Sequence, residues 1–249
     1  MRLRLVACEV LAREVFACAA EAQAVVDVTL LTQGLHDLGP APMRERLQGE
    51  IDATDPSRYD AVALGYALCS NGVDGLRARA LPVVIPRAHD CITLLLGSRE
   101  RYSAEFETHP GTYYMSVGWH ERDRENLGPA EPGIARRLGM DRTEEEYAAL
   151  YGEENARYIV EQLRGGLRHY DRLVFVENGL GGEAAAREEA RSRAAREGWR
   201  FEVVRGDLRL IRKLAARDWD DEFVVLRPGE VLRASHDDRI LEGCACRSD

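Results

Sequence analysis

Short apolar runs at residues 2–7, 25–31, 59–65 and 81–85 constrain this chain more than any other feature. A run such as Tyr-Asp-Ala-Val-Ala-Leu-Gly is continuous rather than alternating, the pattern of a parallel strand covered on both faces by helices. Between the runs lie segments of helical spacing. One is expected over 11–24, with Leu11, Val15, Phe16 and Ala19 on one face. A second is expected over 43–54, entered through Pro40 and Pro42 and closed by Asp55 and Pro56. The second half repeats the alternation: a charged helical region over 143–165, a strand over 172–176, a helix over 184–197, a strand over 201–204, a helix over 207–216 and a last strand over 222–226. Strand and helix in succession predict an α/β fold of mostly parallel open sheets flanked by helices, Rossmann-like, with two related lobes. The first lobe is expected over 1–125 and the second over 126–249. No low-complexity linker parts them, so one continuous domain is the other organisation. Residues 109–119, rich in glycine and aromatics, read as an insertion or a loop with short strand pairing.

Charge and cysteine content narrow the function classes. A net charge of −9 opposes a nucleic-acid partner, because phosphate binding needs a basic surface. The arginines between Arg187 and Arg200 are interleaved with Glu188, Glu189 and Glu197, as on a solvated helix face. No stretch reaches the roughly 20 apolar residues that cross a bilayer. Met1 to Val6 runs into a strand rather than a signal peptide, so a cytoplasmic location without a membrane partner is expected. In that compartment six cysteines are thiols, metal ligands or catalytic groups rather than a disulfide framework.

Three of them stand out by position. Cys8 follows the first strand directly, Cys69 follows the third after Tyr66-Ala67-Leu68, and Cys91 follows the fourth after Arg87-Ala88-His89-Asp90. In an open parallel sheet such loops share one edge, where ligands bind. Ser70-Asn71-Gly72 is a turn sequence that exposes the Cys69 loop. Asp90 is placed to cap a helix over 92–96, and a cysteine at a helix N-terminus gains thiolate character, with Arg87 and His89 adding positive potential. Three thiolates from three loops suit a [4Fe–4S] cluster with one iron left open. With His89 as fourth ligand they suit a closed zinc site, although no Cys-x-x-Cys pair occurs. Cys91 as a metal-free nucleophile with His89 as base, and unrelated buried thiols, remain alternatives. Cys18, flanked by alanines, reads as core packing, whereas Cys244 and Cys246 near the C-terminus are open between ligand, redox pair and frayed tail.

The remaining candidates surround this site. Glu177-Asn178-Gly179-Leu180-Gly181-Gly182 joins a strand to a helix, where the amides of Asn178 and Gly179 could cradle an anionic cofactor, as could those of Asn71 and Gly72. It is not a full dinucleotide fingerprint. Glu177 at its strand end is a candidate acid or base facing the cysteines. Arg87, with Arg99 and Arg101 nearby, suits an anionic substrate, and Tyr66, Tyr113 and Tyr114 are candidates for pocket walls. The leading expectation is a metal- or cluster-dependent enzyme acting on a small anionic metabolite, with His89 or Glu177 moving protons.

Residues 65–72 (Gly-Tyr-Ala-Leu-Cys-Ser-Asn-Gly) and 85–98 (Ile-Pro-Arg-Ala-His-Asp-Cys-Ile-Thr-Leu-Leu-Leu-Gly-Ser) resemble the signature blocks of a bacterial and archaeal family of unknown function, numbered 1638. Pro110 to Tyr114, Gly118-Trp119 and Glu177 to Gly181 resemble it too, so the likeness runs from Leu5 to about Pro228. The resemblance implies an association with corrinoid-dependent methyl transfer. A non-catalytic accessory protein that binds a metal or cofactor for a methyltransferase or corrinoid protein is therefore the second expectation. The Asp-x-His-x-x-Gly motif of corrinoid proteins is missing, which speaks against direct cobalt ligation in that mode.

Overall fold

A computed structural model describes residues 2–69, 71–122, 144–153, 155–157 and 170–245. Its central element is β1 (Arg2–Cys8), in which Leu3, Leu5, Val6 and Ala7 are essentially inaccessible. β1 pairs in parallel with β2 (Val25–Leu31) on one side and with β3 (Ala61–Gly65) on the other. β4 (Val83–Pro86) continues the sheet in parallel, and β8 (Phe223–Leu226) closes it antiparallel to β4. The order is β2-β1-β3-β4-β8. Successive side chains enter opposite cores: Leu3, Leu5 and Ala7 face one, Val6, Val62 and Leu64 the other. Burial on both faces explains why these strands are continuously apolar.

A second sheet of order β5-β6-β7 is wholly parallel, built from β5 (Thr112–Met115), β6 (Arg172–Glu177) and β7 (Arg200–Arg205). Val174 and Val176 of β6 pack into the same core as Leu3 and Leu5 of β1, so the sheets share a hydrophobic interior. The mostly parallel, helix-flanked α/β architecture expected from the apolar runs is the one observed. Strands cross between the halves, however. β5 from the first half pairs with β6, and β8 from the second half completes the first sheet.

The helices follow from local chemistry. α1 (Ala12–Glu21) buries Val15 and Cys18, in keeping with the packing role read for that cysteine. α2 (Pro40–Asp52) begins three residues earlier than expected, because proline is tolerated in the first turn, where its missing N–H has no partner to lose. α3 (Cys91–Leu96) and α4 (Arg99–Thr108) are separated by Gly97, whose φ of 80° ends α3. α5 (Val117–Arg122) follows β5, so residues 109–119 form a parallel strand and the start of a helix rather than an insertion. In the charged region α6 (Glu144–Tyr151) is described; much of the expected 143–165 helix lies outside the described residues. α7 (Glu183–Glu197) lays Ala186, Ala190 and Ala194 against the second sheet, small residues at helical spacing that let helix and strands approach. α8 (Arg209–Ala216) buries Leu210, Ile211, Leu214 and Ala215 and packs on α1.

A hairpin that the sequence pattern did not announce, β9 (Glu230–Ala234) and β10 (Leu241–Ala245), covers the first sheet with Leu232, Ile240 and Leu241. Cys244 sits in β10, half-buried; Cys246 lies outside the described residues. Among the described residues no helix is long and apolar enough to cross a membrane.

The two sheets meet most tightly where α5 crosses the turn after β1. A Cβ on Gly118 would stand 1.6 Å from the Val10 carbonyl oxygen, a backbone atom that cannot rotate away. Gly118→Ala is expected to destabilise the protein by about 3 kcal/mol, at the upper end of overpacking costs. Gly49→Ala, with open space around the new methyl in α2, should gain about 0.5–1 kcal/mol. Urea unfolding of the two variants checks both signs.

Candidate functional site

The strand order reverses at β1: β2 lies to one side and β3 to the other. Such a reversal opens a crevice at the carboxyl ends of the strands, because the two following connections leave in opposite directions. Small residues keep the crevice clear. Ala7 and Gly65 are paired at those ends, and a Cβ on Gly65 would lie 2.6 Å from that of Ala7.

Cys8 closes β1 at this edge and leads into a single 3₁₀ turn, Glu9–Leu11. Cys69 is reached through a continuation of strand-like pairing: Leu68 N–H donates to the Ala88 carbonyl (2.9 Å) and Cys69 N–H to the His89 carbonyl (3.0 Å). Cys69 has φ of 44° and Asn71 φ of 66°, left-handed conformations that cost energy without glycine and that cluster at functional sites. Cys91 is the first residue of α3. The Asp90 carboxylate caps that helix, accepting from the Ile92 (3.0 Å) and Thr93 (3.2 Å) amides and from the Tyr102 hydroxyl (2.8 Å).

The three cysteines line one cavity of about 350 Å³, joined by His89, Tyr66 and Gln33. That volume lies within the range of small-molecule sites. Two polar atoms there are buried without a hydrogen-bond partner among the described residues, the Tyr66 hydroxyl and Gln33 Oε1. Unpartnered buried polar atoms are costly, and these two belong to residues that line the cavity. His89 is exposed on one side and borders the cavity on the other.

The electrostatics differ from the sequence expectation. Burial pushes the Cys8 thiol up to about 11, with Glu9 adding to it. Burial likewise raises Cys69 to about 12, assisted by Cys8 and Asp90, and lifts Cys91 well above 9, assisted by Cys69, Asp90 and Cys8. The helix N-terminus at Cys91 is present, yet loss of water outweighs its dipole. Arg87 supplies no compensating charge. Its guanidinium donates to the Leu241 and Arg239 carbonyls, outside the cavity lining. Without a cation the thiols are protonated at neutral pH and poorly nucleophilic.

Several predicted residues lie elsewhere. Glu177 pairs with Arg187 at 2.7 Å rather than facing the cysteines. The amides of Asn178 (2.9 Å) and Gly179 (2.7 Å) both donate to Glu183 Oε1, so the carboxylate of α7 already fills the expected anion cradle. Asn71 is exposed behind Cys69. Gly72 is buried against Met43, whose sulfur a Cβ would meet at 2.2 Å. Arg99 and Arg101 bond to the carbonyls of Asp238 and of Leu96 and Arg205. Tyr66 does line the cysteine cavity, whereas Tyr113 and Tyr114 line a neighbouring one. Gln33 is a cavity residue that no sequence signal singled out, and Trp119, which the family resemblance marked, was not read as a cavity residue. Only the strand order, which no local pattern encodes, brings them there.

The raised thiols carry a pH signature. A thiol that holds its proton more tightly folded than unfolded contributes stability below the unfolded value of 9.0, and loses it as pH rises through the folded value. Metal-free protein is therefore expected to react slowly with iodoacetamide at Cys8 and Cys69 at neutral pH. Reaction should quicken, and thermal stability fall, as pH climbs toward 11 and 12. Rapid labelling of all three sites at neutral pH would contradict this.

No curated protein and no solved structure matches the chain. A family model matches residues 30–215, which include Cys69 and Cys91 and exclude β1 with Cys8. By that match over most of its length, the chain belongs to the family described as "Protein of unknown function (DUF1638)".

Proposed function

We propose that the protein is a cluster-dependent enzyme in which Cys8, Cys69 and Cys91 hold a [4Fe–4S] cluster beside a small-metabolite pocket. The observation that carries this reading is the arrival of three cysteines, from three separate loops, on one cavity at the reversal of strand order. The three half-buried thiols line one cavity and are held protonated there. A bound cation would convert them to thiolates and release their protons, coupling the metal to the folded state.

Zinc and a cluster place different demands on three thiolates. A single tetrahedral zinc would bring its sulfurs about 3.8 Å apart, given a Zn–S length of about 2.3 Å. The described residues contain no group of three His, Cys, Asp or Glu able to hold one ion in this way. A [4Fe–4S] cluster takes each thiolate on a different iron and therefore needs the three sulfurs farther apart than one zinc does. When bound through three irons it supplies an open Lewis-acidic position.

The chain's own side chains do the rest. The Tyr66 hydroxyl and Gln33 Oε1 bind and orient the substrate, since both are buried and unpartnered among the described residues. His89, bordering cavity and solvent, moves protons between them. Among the described residues no arginine lines this cavity, so an anionic substrate group would be drawn by the metal's charge rather than by Arg87. The enclosed position of the thiols favours catalysis over an accessory role beside a methyltransferase or corrinoid protein, for which an exposed, fully ligated metal is better suited. A reducing cytoplasmic setting fits free thiols of this kind.

Protein purified without oxygen should carry about four irons per chain, with matching sulfide and broad visible absorbance. Cys8→Ser, Cys69→Ser and Cys91→Ser should each lose most of the iron, while Cys18→Ser and Cys244→Ser keep it. One zinc per chain, lost in the same three variants, would replace the cluster with the zinc reading. Protein free of both metals after anaerobic purification and reconstitution would defeat both.

A further inference from the structure

A second cavity, of about 320 Å³, adjoins the cysteine cavity and shares Asp90, Ile92 and Trp119 with it. Its walls are mostly rings. Tyr102 and Phe106 come from α4, Tyr114 from β5, Trp119 from α5, and Tyr170 from the segment before β6. Tyr102 and Phe106 lie nearly parallel, 14° apart with centroids at 6.3 Å. Phe106 is 56% exposed, a large apolar ring without full cover among the described residues. Among the described residues the lining contains no Lys or Arg, and its one carboxylate is Asp90.

This combination selects among ligand classes. An anion would meet Asp90 with only the His109 imidazole, and no lysine or arginine, to offset the repulsion. A neutral apolar molecule would gain nothing from a carboxylate. A primary ammonium needs three hydrogen-bond acceptors, and Asp90 already uses three of its roughly four acceptor sites on protein donors. A methylated ammonium ion has few or no N–H groups to satisfy. It is attracted by the negative faces of aromatic rings, an interaction strengthened when water is excluded. We infer that this aromatic cavity binds a small methylated ammonium cation, with Asp90 as its counter-charge and the rings as its cage. The ligand would then lie against the Trp119 and Asp90 wall, next to the cysteine cavity. The inference does not depend on what the cysteines hold.

The test is a ligand-observed NMR titration of the purified full chain with choline and with 3,3-dimethylbutanol, its uncharged isostere. Choline is expected to bind saturably and at least tenfold more tightly than the isostere, about 1.4 kcal/mol. Asp90→Asn keeps a capping side chain, since asparagine caps about as well as aspartate, and removes the charge. It should weaken choline about tenfold without weakening the isostere. Phe106→Leu, at an exposed position where the fold tolerates change, should weaken choline several-fold. Equal affinity for the two ligands, no saturable choline binding, or choline binding unaltered in both folded variants would each overturn the assignment.

Discussion

The pairing of β1 on both sides is the constraint from which the rest of the molecule follows. Because β2 and β3 both run parallel to it, each must be reached by a crossover, and the chain leaves β1 toward β2 but leaves β3 toward β4, in opposite directions. Their loops part at the carboxyl edge and leave a crevice there. Ala7 and Gly65, the paired residues at that edge, are too small to fill it. The core reinforces the arrangement: β1 is buried on both faces, with Leu5 on one and Val6 on the other. A polar residue in its middle would disrupt one hydrophobic cluster or the other, according to the face it takes.

Much of this architecture was legible because the signals are local. Continuous apolar strands, the proline-marked start of α2 and the Asp90 cap each reflect backbone and side-chain chemistry within a few residues. The placement of Cys8, Cys69 and Cys91 just after strands was legible for the same reason, and parallel topology brought them together. What failed was long-range. Glu177 ends a strand as predicted, but that strand belongs to the second sheet, and Arg187 of α7 claims its carboxylate. Asn178 and Gly179 form the expected turn, but Glu183, five and four residues on, satisfies their amides. Arg87 sits close to Cys91 in sequence, yet the β9–β10 hairpin, whose residues are too mixed to read as strands, binds its guanidinium.

The thiols illustrate how two correct local arguments combine into a wrong sign. A helix N-terminus does favour thiolate, and Cys91 does occupy one. The effect is modest, of order 0.3–1 kcal/mol at an exposed terminus. Removing water from an ionised sulfur surrounded by protein outweighs it, and neighbouring Cys69 and Asp90 act in the same direction as burial. Depth of burial is a property of the assembled fold. For that reason the protonation state of a cysteine is among the last features that a sequence discloses.

The bonds from Leu68 and Cys69 to Ala88 and His89 carry a further consequence. They extend the β3–β4 pairing past the sheet and tie two of the three cysteine loops into one body, which Asp90 continues into α3. Cys8 stands on a different strand, β1, which pairs with β3 as far as Ala7 and Gly65. The trio is thus built as a fixed pair and a separate third. A substitution in the β3–β4 extension therefore reaches Cys69 and Cys91 together, whereas one in β2 reaches Cys8 through its own strand pairing.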